Sequence, residues 1–312
     1  MPDVHTDSFF DKRVFITRTI IKLLIIAIVA LLIKLCFIDS TLIRNDQMTP
    51  SIYPGDRILM FKTFSLSPLN KVFPLTMNQP VLFSFPFSPQ RRNCLRVAGL
   101  PGHTIAIDSG VFKNSIVPFR PPKTNPALDL VPAEYAPRDF MTPYTIPRPG
   151  ETLDLDSMSI RDFLFTVSLI RQELNREHIR VTAHVIIGDS VSSDYIINGF
   201  SLYSGSIAEI PDSLQTYWFF WTQLENYLKS QSPDRQTSVK FTIKKQDKIL
   251  HKYTVRNSHY FLLADNWVSG YDSRYFGLVE RTLITGRPFM IWWSTANANG
   301  RTSISRIGRI IL

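Results

Sequence analysis

The feature that most constrains this chain is an apolar run from Ile20 to Ile38, which only Lys22 and Lys34 interrupt. A helix of this length matches the hydrocarbon thickness of a bilayer, and both lysines can extend their ammonium groups to opposite interfaces. A core helix of a soluble protein would carry a polar stripe, and a cleaved signal peptide would end in small residues at alternate positions. The run has no such stripe, and residues 34–38 are bulky. We therefore predict an uncleaved transmembrane helix over residues 19–39.

The charges that flank the run predict its orientation. Four basic residues crowd its N-terminal side: Lys12, Arg13, Arg18 and Lys22. Positively charged flanks stay on the cytoplasmic side of a membrane, so residues 1–18 are predicted to form a cytoplasmic N-terminus. Everything after Asp39 is then periplasmic or otherwise extracytoplasmic. No second run of comparable length and apolarity occurs in the sequence, so we expect a single-pass protein of the cytoplasmic (inner) membrane.

Composition narrows the choice of partners. The net charge is +9 over 312 residues, and the hydrophobic content of 44% is ordinary for a globular chain. A basic excess suits an acidic partner, but no RNP, zinc-finger or helix-turn-helix signature accompanies it. We therefore expect contact with membrane lipids and no binding of nucleic acid. Cys36 and Cys94 lack metal-ligand spacing and the six histidines are not paired, so neither a metal site nor a cofactor is predicted.

Short apolar segments bounded by glycine and proline dominate the chain after residue 40, which is typical of β structure. Strands are predicted over residues 58–62, 81–85, 104–107, 238–243, 249–255, 259–263 and 287–293. Two helices are predicted over residues 160–174 and 212–229, with Asp154 and Asp156 as N-cap candidates for the first. The second helix includes the aromatic run 217–221, for which core packing and contact with a bilayer or a partner protein both stay open.

Three motifs follow the apolar run in order. The first is Gln47-Met48-Thr49-Pro50-Ser51-Ile52, the second is Leu95-Arg96-Val97-Ala98-Gly99-Leu100-Pro101-Gly102, and the third is Asp265-Asn266 with Asp272-Ser273-Arg274. Together, and after a membrane anchor, they resemble the nucleophile, lysine and C-terminal regions of type I signal peptidases, the Ser/Lys peptidases of family S26. Residues 145–152 and 260–263 resemble the long-insert branch of that family.

The resemblance implies a mainly β fold, with signal peptidase I-like twisted antiparallel sheets around a peptide groove. An N-terminal transmembrane helix and an α+β insert complete it. The implied domains are a first part of the core over residues 40–110, an insert with two helices over 111–250, and the rest of the core with the C-terminal tail over 251–312.

The resemblance also implies a mechanism in which a lysine takes the proton of a serine nucleophile. A lysine can do this only if burial lowers its pKa toward neutrality. In this sequence the nucleophile position is Gln47 and the base position is Leu95. Asn45 stands at the position that often supplies an oxyanion-hole hydroxyl in the family. Gly270 stands at the position where the family usually has a serine that contacts the lysine. No catalytic residue of the family is therefore intact.

Other residues of the motifs are expected to keep structural or binding roles. Residues expected to line the peptide groove are Met48, Pro50, Ile52 and Val97. The C-terminal signature retains Asp265, Asp272, Ser273 and Arg274, and an ion pair between Asp272 and Arg274 is the simplest support for the fold.

Two functions from different classes remain. The first is a catalytically inactive, membrane-anchored binding, scaffold or accessory protein in protein export or envelope assembly. Its partners would be exported polypeptides or a membrane complex, such as a translocon, an active signal peptidase or an envelope assembly. The alternative is an active signal peptidase I that cleaves signal peptides from exported preproteins with non-standard residues, for which Ser51 and Cys94 are the candidates. A purely structural membrane protein is a third possibility, so whether the chain is an enzyme stays open.

Overall fold

The computed structural model describes residues 17–29, 31, 34, 37–62, 74–86, 88–115, 130–174, 179–188, 190–197, 217–296 and 303–311. The strands in these ranges are β1 (Ile38–Leu42), β2 (Asp56–Lys62), β3 (Pro80–Phe85), β4 (Ser88–Gly99), β5 (Thr104–Asp108), β6 (Val111–Asn114), β7 (Met141–Thr145), β8 (Thr152–Asp154), β9 (Ile179–Ile187), β10 (Ser190–Ile197), β11 (Thr237–Lys245), β12 (Lys248–Ile249), β13 (Lys252–Thr254), β14 (His259–Leu263), β15 (Val279–Glu280) and β16 (Ile284–Ser294). The α-helices in the described ranges after residue 37 are α1 (Ile160–Glu173), α2 (Trp218–Gln231) and the single turn α3 (Ser273–Phe276).

The N-terminal apolar run is only partly described. Residues 17–29, 31 and 34 are helical. Among the described residues, no helix is both long enough and apolar enough to cross a membrane. The predicted helix over 19–39 is wrong at its C-terminal end, because Ile38 and Asp39 belong to β1 and pair with Phe61 and Met60 of β2. Pairing with a strand that follows later in the chain decides the conformation of these two residues.

A seven-stranded antiparallel sheet in the order β1-β2-β16-β3-β4-β14-β15 forms the centre of the fold. All five residues of β14 are buried, because the sheet is covered on both faces. Phe261 and Leu263 join an apolar cluster with the insert, whereas Leu262 joins a second cluster with Leu95 and Met48. The mainly β, antiparallel fold class is therefore confirmed.

The predicted insert and the residues that flank it form smaller sheets with two helices packed against them. Their strand orders are β10-β9-β11-β12, β13-β8 and β6-β5-β7. In α2 the side chains of Trp218 and Trp221 are buried, and Trp221 and Phe163 of α1 both pack on Phe241 of β11. The aromatic run therefore belongs to the core of the insert, which favours the packing interpretation over a bilayer or partner surface.

Both predicted helices are present, with different starts. The first begins after Ser159, whose hydroxyl accepts the backbone N–H of Asp162. Asp154 is not its N-cap but caps a short 3-10 turn by accepting the N–H of Asp156. The second helix begins at Trp218 rather than at 212, and residues 212–216 lie outside the described part.

Most predicted strands are confirmed within two residues at their ends, but one is divided. The predicted strand 249–255 consists of β12, which completes a hairpin with β11, and β13, which pairs with β8. The twelve-residue strand β4 was missed. It begins with polar residues that interrupt any alternating pattern, and only its last part is apolar.

Candidate functional site

The first motif, residues 47–52, lies in the loop between β1 and β2 and is held by hydrogen bonds from Asn266. The backbone carbonyl of Gln47 accepts the N–H of Asn266 at 2.9 Å. The Asn266 side chain donates to the carbonyl of Asp46 at 3.3 Å and to the hydroxyl of Thr49 at 3.1 Å. Met48 is fully buried beside them. The third motif therefore fixes the backbone of the first one.

The Gln47 side chain ends in a polar atom without a partner. Its Oε1 is buried and accepts no hydrogen bond from any residue that the structure describes. A neutral amide does not attack a peptide carbonyl, because its nitrogen lone pair is delocalised into the C=O group. This position can therefore bind a donor but cannot begin acyl transfer.

Leu95, the predicted base position, lies in the middle of β4, where it pairs with Val81 of β3. It is 0% exposed and belongs to the same apolar cluster as Met48, Ile52 and Leu262. A leucine has no atom that accepts a proton. The predicted base position is therefore fully buried among apolar side chains and carries no group that could act as a base.

The other two predicted positions have structural contacts. Asn45 donates its amide to Asn93 at 3.3 Å, so this amide is engaged with β4. Gly270 leaves no room for a side chain, since an added Cβ would lie 2.2 Å from the Cβ of Ala264 and 2.6 Å from the carbonyl of Asn266. A serine at position 270 does not fit this packing unless its neighbours move.

A buried ion pair links all three motifs. The Arg96 guanidinium donates to both carboxylate oxygens of Asp265, at 2.7 and 2.8 Å. It also donates to the carbonyl of Asn78 at 2.6 Å and to the hydroxyl of Ser51 at 3.4 Å. A bidentate guanidinium–carboxylate pair has fixed geometry, so Ser51, Arg96 and Asp265 are held as one unit.

The C-terminal signature braces strand β14. Arg274 donates to both oxygens of the Asp272 carboxylate at 2.8 Å, and both side chains are fully buried. Asp272 accepts the backbone N–H of Ala264, and the hydroxyl of Ser273 accepts the backbone N–H of Leu262. These residues support the backbone that carries Asp265 and do not reach a reacting atom.

The two candidate substitute nucleophiles lack activation. Cys94 is 2% exposed, and burial, with a contribution from Asp265, raises the pKa of its thiol to about 12. A thiol protonated at neutral pH is a poor nucleophile. The hydroxyl of Ser51 accepts from the Arg96 guanidinium, which is always protonated and cannot act as a base.

An open cleft of about 270 Å³ lies next to these positions. One wall is formed by the end of β1 and the residues after it, and the other by β3 and β4. Its lining residues are Thr41, Leu42, Ile43, Arg44, Asn45, Leu82, Gln90, Arg92 and Cys94. Of the described strands, only β2 pairs with β1, so β1 is an edge strand. On β4 the lining residues are the alternate ones Gln90, Arg92 and Cys94, and Leu82 is paired with Cys94, so this wall is a face of the sheet. The cleft therefore lies between the edge strand β1 and the face of β3 and β4.

The groove residues predicted from the sequence do not line this cleft. Met48, Ile52 and Val97 are core residues with 0% exposure, and Pro50 is exposed elsewhere on the loop. Apolar residues beside the motifs were expected to face a peptide, but both faces of the sheet are covered and their side chains point into the core. Arg44 and Arg92 do line the cleft, and each stands three residues before a predicted reaction position in the sequence.

The fold and the convergence of the three motifs define a β-rich protein of the peptidase type, and the comparison with known families agrees. The family model described as "Signal peptidase, peptidase S26" matches residues 16–125 and 214–293, well over half of the chain. The chain therefore belongs to the signal peptidase family, peptidase S26. The unmatched stretch between the two ranges falls inside the predicted insert. A comparison with curated proteins finds no match.

Proposed function

We propose that this chain is a membrane-anchored, signal peptidase I-like protein of the long-insert branch that lacks peptidase activity. In this proposal it binds extended segments of exported polypeptides, as a binding, scaffold or accessory subunit in protein export or envelope assembly. The observation that carries the proposal is the pair of reaction positions. One holds the amide of Gln47, and the other holds Leu95 with 0% exposure.

Chemistry supports the loss of activity. Removing the nucleophile of a serine protease costs about 10⁶-fold in kcat, and losing the base as well adds little further loss. What remains at such a site is binding and backbone donors. Neither Ser51 beside Arg96 nor the protonated thiol of Cys94 replaces the missing pair.

The cleft supports a retained binding role. An extended peptide can add to an exposed strand edge through main-chain hydrogen bonds, while its alternate side chains enter pockets. The edge strand β1 forms one wall of the cleft, and the face of β3 and β4 forms the other. Leu42, which is 38% exposed, gives the cleft an accessible apolar part, which suits small apolar side chains.

An aromatic face next to β1 supports a position at the membrane. Phe61 stacks on Phe289 with ring centroids 4.4 Å apart, and Phe61 is 51% exposed. Trp292 and Trp293 on β16 are 39% and 41% exposed. Aromatic rings favour the interface between bilayer and water. In the proposal this face rests on the outer surface of the cytoplasmic membrane, close to the N-terminal anchor.

Two measurements test the proposal. The full-length protein in detergent is incubated with a preprotein that carries a signal peptide, and no cleavage is expected. Cleavage that Ser51→Ala or Cys94→Ala abolishes, with contaminating peptidase excluded, would establish the alternative of an active enzyme.

Binding is tested by cross-linking in cells. A photo-reactive residue at Gln90 in the cleft is expected to capture exported chains, and the same residue at Lys240, exposed on β11 of the insert, is the matched control. Equal capture at both positions, or none at Gln90, would favour a purely structural role.

A further inference from the structure

We propose that the cleft between β1 and β4 selects polypeptide segments that carry an acidic side chain, and that Arg44 and Arg92 bind its carboxylate. This inference rests on the proposed peptide-binding function and names the class of peptide that the cleft takes. The two arginines approach the same cleft from opposite walls, one after β1 and the other on β4.

Both guanidinium groups are accessible to a ligand. Arg44 is exposed and makes no side-chain hydrogen bond or ion pair with the part of the chain that the structure describes. Arg92 lies 4.0 Å from the carboxylate of Asp39, with 53% and 41% of the two side chains exposed. An ion pair this long and this open to water contributes little, so a bound carboxylate can replace Asp39.

The rest of the lining favours an anion as well. None of the nine lining residues is acidic, and Thr41, Asn45 and Gln90 add neutral polar groups. A guanidinium group matches the planar carboxylate with two parallel hydrogen bonds. Two of them on facing walls therefore give one short stretch of the cleft a preference for negative charge.

The edge strand β1 favours a peptide over a small anion or a lipid headgroup. β1 is the terminal strand of the described sheet, and of the described strands only β2 pairs with it. Only a polypeptide presents N–H and C=O groups at the spacing that such an edge needs. Because successive side chains of an extended peptide point to opposite sides, one acidic residue can reach the arginines while its neighbours face the apolar part.

The experiment uses the full-length protein in a neutral detergent at low salt. The probes are two fluorescein-labelled heptapeptides of alternating valine and alanine, one with a central glutamate and the other with glutamine. We expect the glutamate peptide to bind about 10-fold more tightly by fluorescence anisotropy, a difference that falls as salt screens the charges. Arg44→Gln and Arg92→Gln are each expected to weaken the glutamate peptide by about 5-fold and to leave the glutamine peptide unchanged.

The control variant is Arg180→Gln, which removes an exposed arginine from β9 of the insert, and it is expected to bind both peptides like the wild type. Equal affinity of the wild-type protein for both peptides would overturn the selectivity and leave the peptide-binding function in place. Failure to bind either peptide would overturn the proposed function and the selectivity together. If inorganic phosphate at the peptide concentration displaces the glutamate peptide, the cleft is a small-anion site and the inference is wrong. The comparison of two peptides on the wild-type protein tests the idea even if a variant fails to fold.

Discussion

Replacing Leu95 by lysine tests whether the base position is the dry pocket that the structure describes. Leu95 has 0% exposure and lies among Met48, Ile52, Val81 and Leu262. A lysine there has no water around its ammonium group, and burial disfavours the charged form. The protein with Leu95→Lys should therefore fold with the new side chain neutral.

The size of the effect follows from the pKa of that side chain in the two states. Full burial lowers the pKa of a lysine from about 10.4 to about 6. The unfolded chain then binds one more proton than the folded protein between these two pKa values, so stability rises with pH in this window. The free energy of unfolding should fall by about 4 to 5 kcal/mol at pH 7. It should then recover by about 1.4 kcal/mol for each pH unit up to about pH 10.

The assay is urea unfolding of the full-length protein in detergent, followed by tryptophan fluorescence between about pH 7 and about pH 9.5. Leu95→Met is the matched control, because it keeps the volume, costs less than about 1.5 kcal/mol and adds no titrating group. The difference in the free energy of unfolding between the two variants should shrink by about 1.4 kcal/mol per pH unit. A constant difference would refute the reasoning, since it would mean that the ammonium group reaches water and that the pocket is not apolar.

Three further predictions concern the surroundings of the site. Gly270→Ser should destabilise the protein by about 3 kcal/mol because the serine Cβ meets the Cβ of Ala264. Adding Ala264→Gly should restore part of that loss, as measured by thermal unfolding. A Gly270→Ser variant that melts like the wild type would contradict the packing. Burial raises the pKa of Asp56, but hydrogen bonds led by that from Arg306 outweigh it and leave the pKa below its usual range. The stability that the Asp56–Arg306 pair contributes should be complete above about pH 4 and should fall as the pH drops below that value. Arg306→Gln should lower the free energy of unfolding by about 3 kcal/mol near neutrality and weaken its dependence on acidic pH. An unchanged dependence of stability on acidic pH in this variant would contradict the prediction. Cys94, with a pKa of about 12, should react with maleimide only after denaturation, as peptide mapping by mass spectrometry would show; equal labelling of the native protein would exclude a buried thiol.

The strands that could be predicted are those with clear ends. Segments 81–85 and 259–263 are apolar runs next to proline or polar turns, and both are strands. Strand β4 could not be predicted as a whole because Arg91, Arg92 and Asn93 interrupt its apolar pattern. Arg92 lines the cleft and Arg91 is exposed, so the polarity of this part of β4 reflects exposed side chains rather than a loop.

The start of α1 can be predicted from the sequence, but its N-cap is Ser159 and neither of the predicted residues Asp154 and Asp156. Ser159 stands directly before the helix, and its hydroxyl accepts the N–H of Asp162 three residues later. A serine followed by an acidic residue at that spacing is typical of a capping box. Asp154 and Asp156, although good capping residues, are too far upstream and serve a 3-10 turn instead.

The assignment of Gln47 and Leu95 to the reaction positions rests on the motifs alone and stays a prediction. The groove residues could not be predicted from the sequence. Whether Met48 or Val97 faces a peptide or the core depends on which face of the sheet is covered, and an apolar residue gives the same sequence pattern in either case. Only the three-dimensional arrangement of β3, β4 and β14 decides that both are buried.

The contacts that support the site do not depend on a catalytic pair. The Arg96–Asp265 and Asp272–Arg274 pairs are saturated by their own hydrogen bonds. A lysine at position 95 would have to be held neutral against a cost of about 4 to 5 kcal/mol, whereas burying a leucine contributes about 2 kcal/mol. Selection for stability alone therefore favours leucine at this position once cleavage is no longer required. In the proposed function the fold is kept without the catalytic pair, and exported chains bind in the cleft flanked by Arg44 and Arg92.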